Sequence, residues 1–240
     1  MKRLLFLFAF LSVLIIAGAQ DVILEKDVDE QFKGTKGPNM RHFKHLYLGA
    51  GTVLDYDEET GASINPLTSA QFIIGYRYKL KLLSFYALGF DLNFKMNRYM
   101  FDGDDENPLD LSNPLLIVEN EEKHSLTNNG PGLELYQRIN IGKRGNTLGK
   151  YLDIGVQGQW NMTDVEEYIL VNEADPYFGK SRIINRKLTF IEPVSYGLSA
   201  RIGINKFAIQ GYYRLSDYFR SEFSMSELPR LTIALQFALH

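Results

Sequence analysis

The sequence predicts an all-β protein, an eight-stranded antiparallel up-and-down transmembrane β-barrel. Three observations support this prediction. Apolar and polar residues alternate with period two in eight separate segments. At the polar positions of these segments the residues are mostly small or carry an amide, whereas at the apolar positions they are large and often aromatic. Short and long connections between the segments alternate along the chain, as they do in outer-membrane barrels.

The composition excludes several other classes of protein. The chain has 240 residues, a formal net charge of -3 and no cysteine, and its mean hydropathy is -0.17. This hydropathy argues against a polytopic helical membrane protein, which needs several apolar runs of about 20 residues. The absence of cysteine excludes disulfide scaffolds, thiolate metal sites and cysteine-based catalysis. The acidic balance gives no reason to expect a nucleic acid partner.

The first residues have the pattern of a secretory signal peptide. Lys2 and Arg3 precede an apolar run over residues 4–16, and the small residues at 17–19 follow it. We expect cleavage between Ala19 and Gln20. An N-terminal membrane anchor is the alternative, but an apolar run of this length is too short for a hydrocarbon core of ~30 Å. The predicted organisation is therefore a signal peptide at 1–19, a periplasmic lead-in at 20–44 and a barrel at 45–240.

The eight alternating segments cover residues 46–55, 71–80, 86–96, 133–141, 152–162, 195–204, 207–216 and 230–239. In the first four segments the apolar positions are Leu46, Leu48, Ala50, Thr52, Leu54; Phe72, Ile74, Tyr76, Tyr78, Leu80; Tyr86, Leu88, Phe90, Leu92, Phe94, Met96; and Leu133, Leu135, Ile139, Ile141. In the last four they are Leu152, Ile154, Val156, Trp160, Met162; Tyr196, Leu198, Ala200, Ile202, Ile204; Phe207, Ile209, Gly211, Tyr213, Leu215; and Leu231, Ile233, Leu235, Phe237, Leu239. The first segment has the weakest pattern. Each segment is long enough for the ~9–11 residues of a tilted membrane strand.

The nature of the two faces distinguishes a membrane barrel from a soluble one. A soluble barrel points its apolar side inward and crowds its outer side with Lys and Glu. Here the polar face is rich in Gly, Ala, Ser, Asn and Gln with isolated charges, which suits a narrow, filled lumen. The apolar face carries aromatic residues near strand ends, where rings prefer the headgroup level; these are Tyr76, Tyr78, Tyr86, Trp160 and Tyr213.

The connections give a further indication of topology. The short ones are residues 81–84, 142–150 and 205–206, and the long ones are 56–68, 97–131, 163–187 and 217–228. We expect the short connections on the periplasmic side and the long ones outside the cell. An even number of strands then places both ends of the barrel on the periplasmic side.

Ten charged residues are predicted to face the lumen: Arg77, Lys79, Asp91, Lys95, Glu134, Arg138, Asp153, Arg201, Arg214 and Arg230. Counting from the short turns puts Arg77, Arg138, Asp153 and Arg201 at one level, and Asp91, Glu134 and Arg214 at a higher level. Buried charges of this kind must be paired. We expect an ion-pair plug that closes the bore. A narrow anion-tolerant pore is the alternative, because bases outnumber acids.

Two groups of histidines raise other possibilities. His124 and Ser125, near Glu134, could suggest a lipid A hydrolase. We expect no such activity, because adjacent residues of an extended strand point to opposite faces and this pair is predicted to lie in a loop. His42 and His45 are expected to be solvated residues of the lead-in rather than metal ligands.

The long loops contain an acidic stretch and two apolar patches. Residues 102–106 are rich in Asp and Glu, but the spacing lacks the Gly and the bidentate Glu of a calcium-binding loop. A solvated acidic loop is expected, with a divalent bridge to lipopolysaccharide as the alternative. The apolar patches at 115–118 and 168–171 are either strand extensions or a contact surface for a partner.

The sequence also resembles a known family. The residues that carry the resemblance are 212–217, Tyr-Tyr-Arg-Leu-Ser-Asp, and 227–233, Glu-Leu-Pro-Arg-Leu-Thr-Ile. With the signal peptide and the eight segments, they look like small PorT-like outer-membrane barrels of the Bacteroidota, over about residues 40–240. The resemblance implies an outer-membrane location, and the best-described members assist secretion or gliding machinery.

Together these observations predict a monomeric, non-enzymatic outer-membrane barrel with a plugged lumen. We expect it to contact outer-membrane lipid and lipopolysaccharide and to bind an envelope protein through its lead-in or exterior loops. No cofactor, metal or nucleic acid is expected. A small solute or ion pore is the first alternative, and a lipid A-modifying hydrolase is the second.

Overall fold

The structure, a computed structural model, describes residues 37–54, 64–101, 121–142, 145–171, 180–223, 225 and 227–239. These residues contain ten β-strands: β1 His42–Leu54, β2 Ala70–Lys81, β3 Tyr86–Met100, β4 Glu121–Ile141, β5 Lys150–Trp160, β6 Thr163–Val171, β7 Lys180–Arg186, β8 Val194–Ile204, β9 Phe207–Arg214 and β10 Leu231–Leu239. A single turn of 3-10 helix, Ser221–Phe223, follows β9. None of the described segments is a helix long and apolar enough to cross a membrane.

Eight of the ten strands close into an antiparallel barrel. The order around it is β1, β2, β3, β4, β5, β8, β9 and β10, and β10 pairs with β1 to complete the circle. Neighbours in the barrel are therefore neighbours along the chain, except that β6 and β7 intervene between β5 and β8. The predicted eight-stranded, all-β, antiparallel up-and-down barrel is confirmed.

The connections place the two ends of the barrel. Three short connections, at 82–85, 142–149 and 205–206, lie at the end where the described chain begins and ends, which we call the turn end. The strand ends that the four longer connections join lie at the opposite end, which we call the loop end. The last residues of β10 and the first described residues therefore lie at the turn end, as the alternation of connection lengths predicts.

Alternation along each barrel strand separates an inner from an outer face. In β8, Ser195, Gly197, Ser199, Arg201 and Gly203 are buried, whereas every intervening residue is exposed. The exposed positions of β8 are those predicted from the sequence to be apolar and outward. Because successive side chains of a strand point to opposite faces, the polar set fills the interior.

The stagger of the barrel follows from its register. Paired residues, followed once around the barrel from Lys44 of β1, return to the same strand at Leu54. A stagger of this size in eight strands tilts each strand by about 40° to the barrel axis. Because of this tilt, residues that are not paired with each other between neighbouring strands can lie at the same height and meet across the interior.

Strand β4 is longer than predicted and pairs with two strands along one of its edges. Its residues 132–141 pair with β5, and residues 121–129 pair with β6. The change of partner falls at Gly130-Pro131-Gly132, where proline has no N–H to donate to a ladder. The prediction that His124 and Ser125 lie in a loop was wrong, because the first half of β4 has polar residues on both faces and shows no alternation.

The β6–β7 hairpin was not predicted as a pair of strands. The hairpin extends the sheet at the loop end. Strand β6 pairs with β4, from Thr163 opposite Asn129 to Ile169 opposite Lys123, and β7 pairs with the other edge of β6. The apolar patch at 168–171 lies within β6, so it is a strand extension. The patch at 115–118, the acidic stretch at 102–106 and the predicted cleavage site at Ala19 and Gln20 lie outside the described residues.

Candidate functional site in the barrel interior

Six of the predicted lumen charges form one network in the middle of the barrel. Arg77 lies 2.8 Å from Asp91. Arg138 donates two hydrogen bonds to Asp153, at 2.7 and 2.8 Å. Arg201 joins the two pairs: it contacts Glu134 at 2.6 Å, Asp153 at 2.9 Å and Asp91 at 4.0 Å. Three guanidinium groups therefore face three carboxylates.

The network is sealed from solvent, since all six residues have an exposed fraction of 0–1%. An unpaired charge would be strongly disfavoured in such surroundings, and hydrogen-bonded pairing removes most of that penalty. Residues of both levels expected from the sequence thus meet in one network, and Arg201 forms the link between them. The placement of Arg214 on the upper level with Asp91 and Glu134 was wrong, because Arg214 contacts Glu227 instead.

Neutral side chains complete the hydrogen bonding of the carboxylates. Tyr47 donates its hydroxyl hydrogen to Asp91 at 2.9 Å, and Ser199 donates to Glu134 at 2.6 Å. Gln236 accepts from Arg77 at 2.9 Å and donates to Gln210. These contacts extend the network to β1, β9 and β10, so that it reaches all eight barrel strands.

Tyrosine rings stack on the arginines of the network. The Arg77 guanidinium lies 4.2 Å from the centre of the Tyr47 ring, and that of Arg138 lies 3.7 Å from the Tyr151 ring. Such cation–π contacts are strongest where water is excluded. The Tyr136 ring lies between Arg138 and Arg201, at 5.5 and 5.8 Å.

Each of these inward tyrosines faces a glycine on the next strand; the pairs are Tyr47–Gly75, Tyr136–Gly89 and Tyr151–Gly203. A Cβ atom at Gly75 or Gly89 would overlap the facing ring. The glycines therefore let the rings lie flat against the barrel wall and leave the centre to the charges. The alternation of the sequence places Tyr47, Tyr136 and the three glycines on the inward face but does not predict their pairing, and Tyr151 lies outside the predicted segments.

A small apolar cluster lies at the turn end of the interior. Leu148, from the connection between β4 and β5, is buried against Tyr151, Ala208 and Ala238, with Phe43 packed beside them. This layer lies between the charge network and the turn-end opening.

Residues 37–41 of the lead-in lie over the same opening. Lys79 donates to the carbonyl of Pro38, and Lys81 donates to that of Asn39 at 3.2 Å. On the other side, the Asn39 amide donates to Asn146 at 3.3 Å. Lys79, predicted to face the lumen, is thus a contact of the lead-in rather than a member of the central network.

Amide side chains fill the interior between the network and the loop end. Gln71 donates to Asn97 at 2.7 Å, and Gln159 donates to Asn128 at 3.0 Å. The buried Lys95 lies in this layer with its ammonium 4.6 Å from the centre of the Tyr212 ring.

The remaining two predicted charges lie near the loop end, apart from the network. Arg214 is buried and contacts Glu227 at 3.1 Å and the carbonyl of Leu228 at 2.8 Å. Arg230 is partly exposed, precedes β10 and contacts Asp217 at 2.8 Å. Their carboxylate partners come from the connection between β9 and β10, which sequence reasoning treated as an exterior loop.

A larger apolar cluster lies at the loop end. It contains Val53, Ile64, Tyr99, Phe101, Leu126, Phe190, Ile191, Tyr218, Phe219 and Leu228, with Leu188 and Met225 packed against it. Its members come from three barrel strands and from the connections beyond them. The interior is therefore layered, with apolar groups at both ends and charged and amide groups between.

A second polar cluster joins β4 to the hairpin. The His124 ring stacks between Phe101 and Tyr168, at 4.6 and 4.1 Å between ring centres, and its Nε2 lies 3.3 Å from Glu166. Ser125 faces the opposite side of β4, 3.5 Å from Arg98. The carboxylate beside His124 is thus Glu166 rather than Glu134, and the neighbouring serine is not within reach of the imidazole.

The two N-terminal histidines both lie in β1 and point to opposite faces. His42 contacts the Tyr78 hydroxyl at 2.6 Å on the outer side, and His45 is buried and stacks on Phe43. The expectation that His45 is solvated was wrong, because β1 begins at His42, inside the predicted lead-in. Among the described residues, no group of three or more His, Cys, Asp or Glu residues could hold a metal ion.

No protein-family model matches the chain, and no curated protein matches it.

Proposed function

We propose that this protein is an integral outer-membrane barrel with a plugged lumen and a partner-binding role in the cell envelope. The observation that carries the proposal is the inversion of its two faces: the charges are buried and the large apolar side chains are exposed. Phe72, Leu135 and Ile202 have exposed fractions of 59%, 55% and 65%. An apolar surface of this extent on a water-soluble monomer is unusual, whereas lipid would cover it.

The height of the apolar surface supports a membrane location. Every outward residue of β8 from Val194 to Ile204 is apolar or aromatic. A strand of this length, tilted by about 40°, spans about 25 Å, which is the height of the apolar band of outer-membrane barrels. Aromatic residues lie near both ends of the band, with Trp160 and Tyr213 at the loop end and Tyr78 at the turn end.

The layered interior supports a plug rather than a pore. A conducting path would have to cross two apolar clusters and a network whose three arginines and three carboxylates are already paired. Purified protein in planar lipid bilayers should therefore show no steady single-channel conductance. Reproducible conductance that changes in Arg201→Met would overturn the plug.

The partner-binding role is supported by the sheet extension at the loop end. Strand β7 is the last strand of the sheet, and among the described residues no strand pairs with its outer edge. An edge of this kind offers backbone donors and acceptors for an added strand. The resemblance to PorT-like barrels is compatible with a secretion-associated protein of the envelope as that partner.

Photo-crosslinking in intact cells tests the partner-binding role. A photoreactive amino acid at Ile184, which is exposed on β7, should give a discrete adduct with an envelope protein. The control position is Ile204, which is exposed at the turn end of the barrel. Absence of an adduct from Ile184, or the same adduct from both positions, would contradict the proposal.

A further inference from the structure

The ammonium group of Lys95 is buried and has no ion-pair partner among the described residues. The residue has an exposed fraction of 2%. Among the described residues its contact is the face of the Tyr212 ring, at 4.6 Å, and no carboxylate lies within ion-pair distance of it. Lys79, the other buried lysine, differs in that it donates to the Pro38 carbonyl at the turn end.

The nearby carboxylates are committed to other cations. Asp91 is bound by Arg77 and Tyr47, and Glu134 is bound by Arg201 and Ser199. The three carboxylates of the central network balance its three arginines, so the positive charge of Lys95 remains in excess. Burying an uncompensated ammonium is strongly unfavourable, and a counter-ion would remove that cost.

Lys95 faces a small cavity on the loop-end side of the network. The cavity has a volume of about 20 Å³, and its described lining includes Arg214, Tyr212 and Tyr218 together with amide side chains, but no Asp or Glu. The hydroxyl groups of Tyr212 and Tyr218 are buried and have no hydrogen-bond partner in the described residues. The cavity thus offers an unpaired cation and two free O–H donors to whatever occupies it.

We propose that this cavity binds a monatomic anion, chloride under physiological conditions, as the counter-ion of Lys95. The positive lining and the free hydroxyl donors select an anion, because an anion accepts hydrogen bonds and donates none. The volume is sufficient for a particle about the size of one water molecule, which suits a monatomic anion. The anion would lie inside the barrel. Its site is an inference beyond the proposed function, which does not require an anion.

Anomalous diffraction with bromide tests the site directly. Crystals of the detergent-folded full-length mature chain, grown in bromide salt, should show a bromide peak in the cavity beside Lys95. Data from crystals in which bromide appears only on the outer surface, with the cavity holding water, would overturn the proposal.

Thermal unfolding gives a second readout that does not depend on crystals. At constant ionic strength, replacing gluconate by chloride should raise the unfolding midpoint of the wild-type protein by about 5 °C, with saturation. Lys95→Met should abolish this rise, whereas the matched variant Lys79→Met should retain it. Equal chloride dependence in Lys95→Met and wild type, or none in wild type, would contradict the site, and neither result would bear on the proposed membrane location.

Discussion

At the scale of single residues, Arg201 decides whether the interior is a set of pairs or one network. Its guanidinium contacts carboxylates from three strands, β3, β4 and β5. The charge types and their inward orientation follow from the alternation of the sequence. The partners of Arg201 do not, because they depend on the stagger accumulated over all eight seams of the barrel.

Removal of Arg201 should be strongly destabilising. Arg201→Met leaves Glu134 buried with only neutral donors, and breaking a buried pair in this way costs about 3–5 kcal/mol of unfolding free energy. The double variant Arg201→Met/Glu134→Gln should recover much of the loss, since two balanced pairs remain and Ser199 can still donate to the new amide oxygen. Urea unfolding in lipid vesicles measures both; additive losses in the double variant would contradict a direct Arg201–Glu134 coupling.

The glycines that face inward tyrosines make a second prediction at this scale. Gly89→Ala should cost about 1–3 kcal/mol, because the new Cβ overlaps the Tyr136 ring that braces Arg138. The matched control is Gly211→Ala, also in a barrel strand, where a Cβ meets nothing within 4 Å. The same urea titration compares the two variants, and equal midpoints would show that the ring and the glycine are not in close contact.

At the scale of elements, the hairpin of β6 and β7 shows where alternation stops being informative. Inside the barrel each strand has one polar and one apolar face, and the period of two reveals it. Beyond the barrel, β4 and β6 carry polar residues on both faces, as at Glu166 and Glu167, so the period is lost. The strands there are held by backbone hydrogen bonds between strands and by the contacts of His124 with Glu166 and Tyr168. Neither kind of interaction produces a pattern in the sequence.

The buried carboxylate of this cluster should make the hairpin sensitive to acid. Burial opposes the charge of Glu166, but hydrogen bonds from His124, Tyr168 and Asn185 hold its pKa below the ordinary value. A carboxyl group with a lowered pKa in the folded state stabilises the fold above its unfolded pKa. That stability should be lost as the pH falls below about 4.5 and through the lower folded pKa.

Hydrogen exchange of the β6 and β7 amides measures this dependence. In the wild type, protection factors should stay constant down to about pH 4.5 and fall as the pH is lowered further, through the folded pKa of Glu166. The fall should be smaller in Glu166→Gln, which has no charge to lose at this position; Asp164, Glu167 and Arg182 remain in both proteins and cancel in the comparison. An unchanged fall in Glu166→Gln would assign the acid sensitivity to those other groups.

At the scale of the whole molecule, the barrel is a closed sheet with its charges inside and its large apolar side chains outside. The sequence predicted the eight barrel strands, their orientation and the alternation of short and long connections, because each is a local pattern. It did not predict the stagger of the barrel, the apolar clusters at its ends or the hairpin, because these arise from contacts between distant segments. The long connection between β9 and β10, for example, supplies Glu227 to the interior.

A cation on the outer surface should be tolerated according to its depth in the membrane. Leu135 and Ile141 lie on the same strand and are equally exposed, at 55%, but Ile141 is next to a turn. Leu135→Arg should cost about 2–4 kcal/mol of folding free energy in vesicles and Ile141→Arg about 0–1 kcal/mol. Urea titration of folding measures both, and equal costs would show that the two positions do not differ in depth.

The most direct test of the account uses its single tryptophan, Trp160, which is exposed on the outer face near the loop end. In vesicles of brominated phosphatidylcholine, the fluorescence of Trp160 should be quenched, more strongly by bromine near the headgroups than by bromine near the bilayer centre. If folded protein instead shows no quenching by brominated lipid and full quenching by aqueous iodide, the outer face does not meet hydrocarbon.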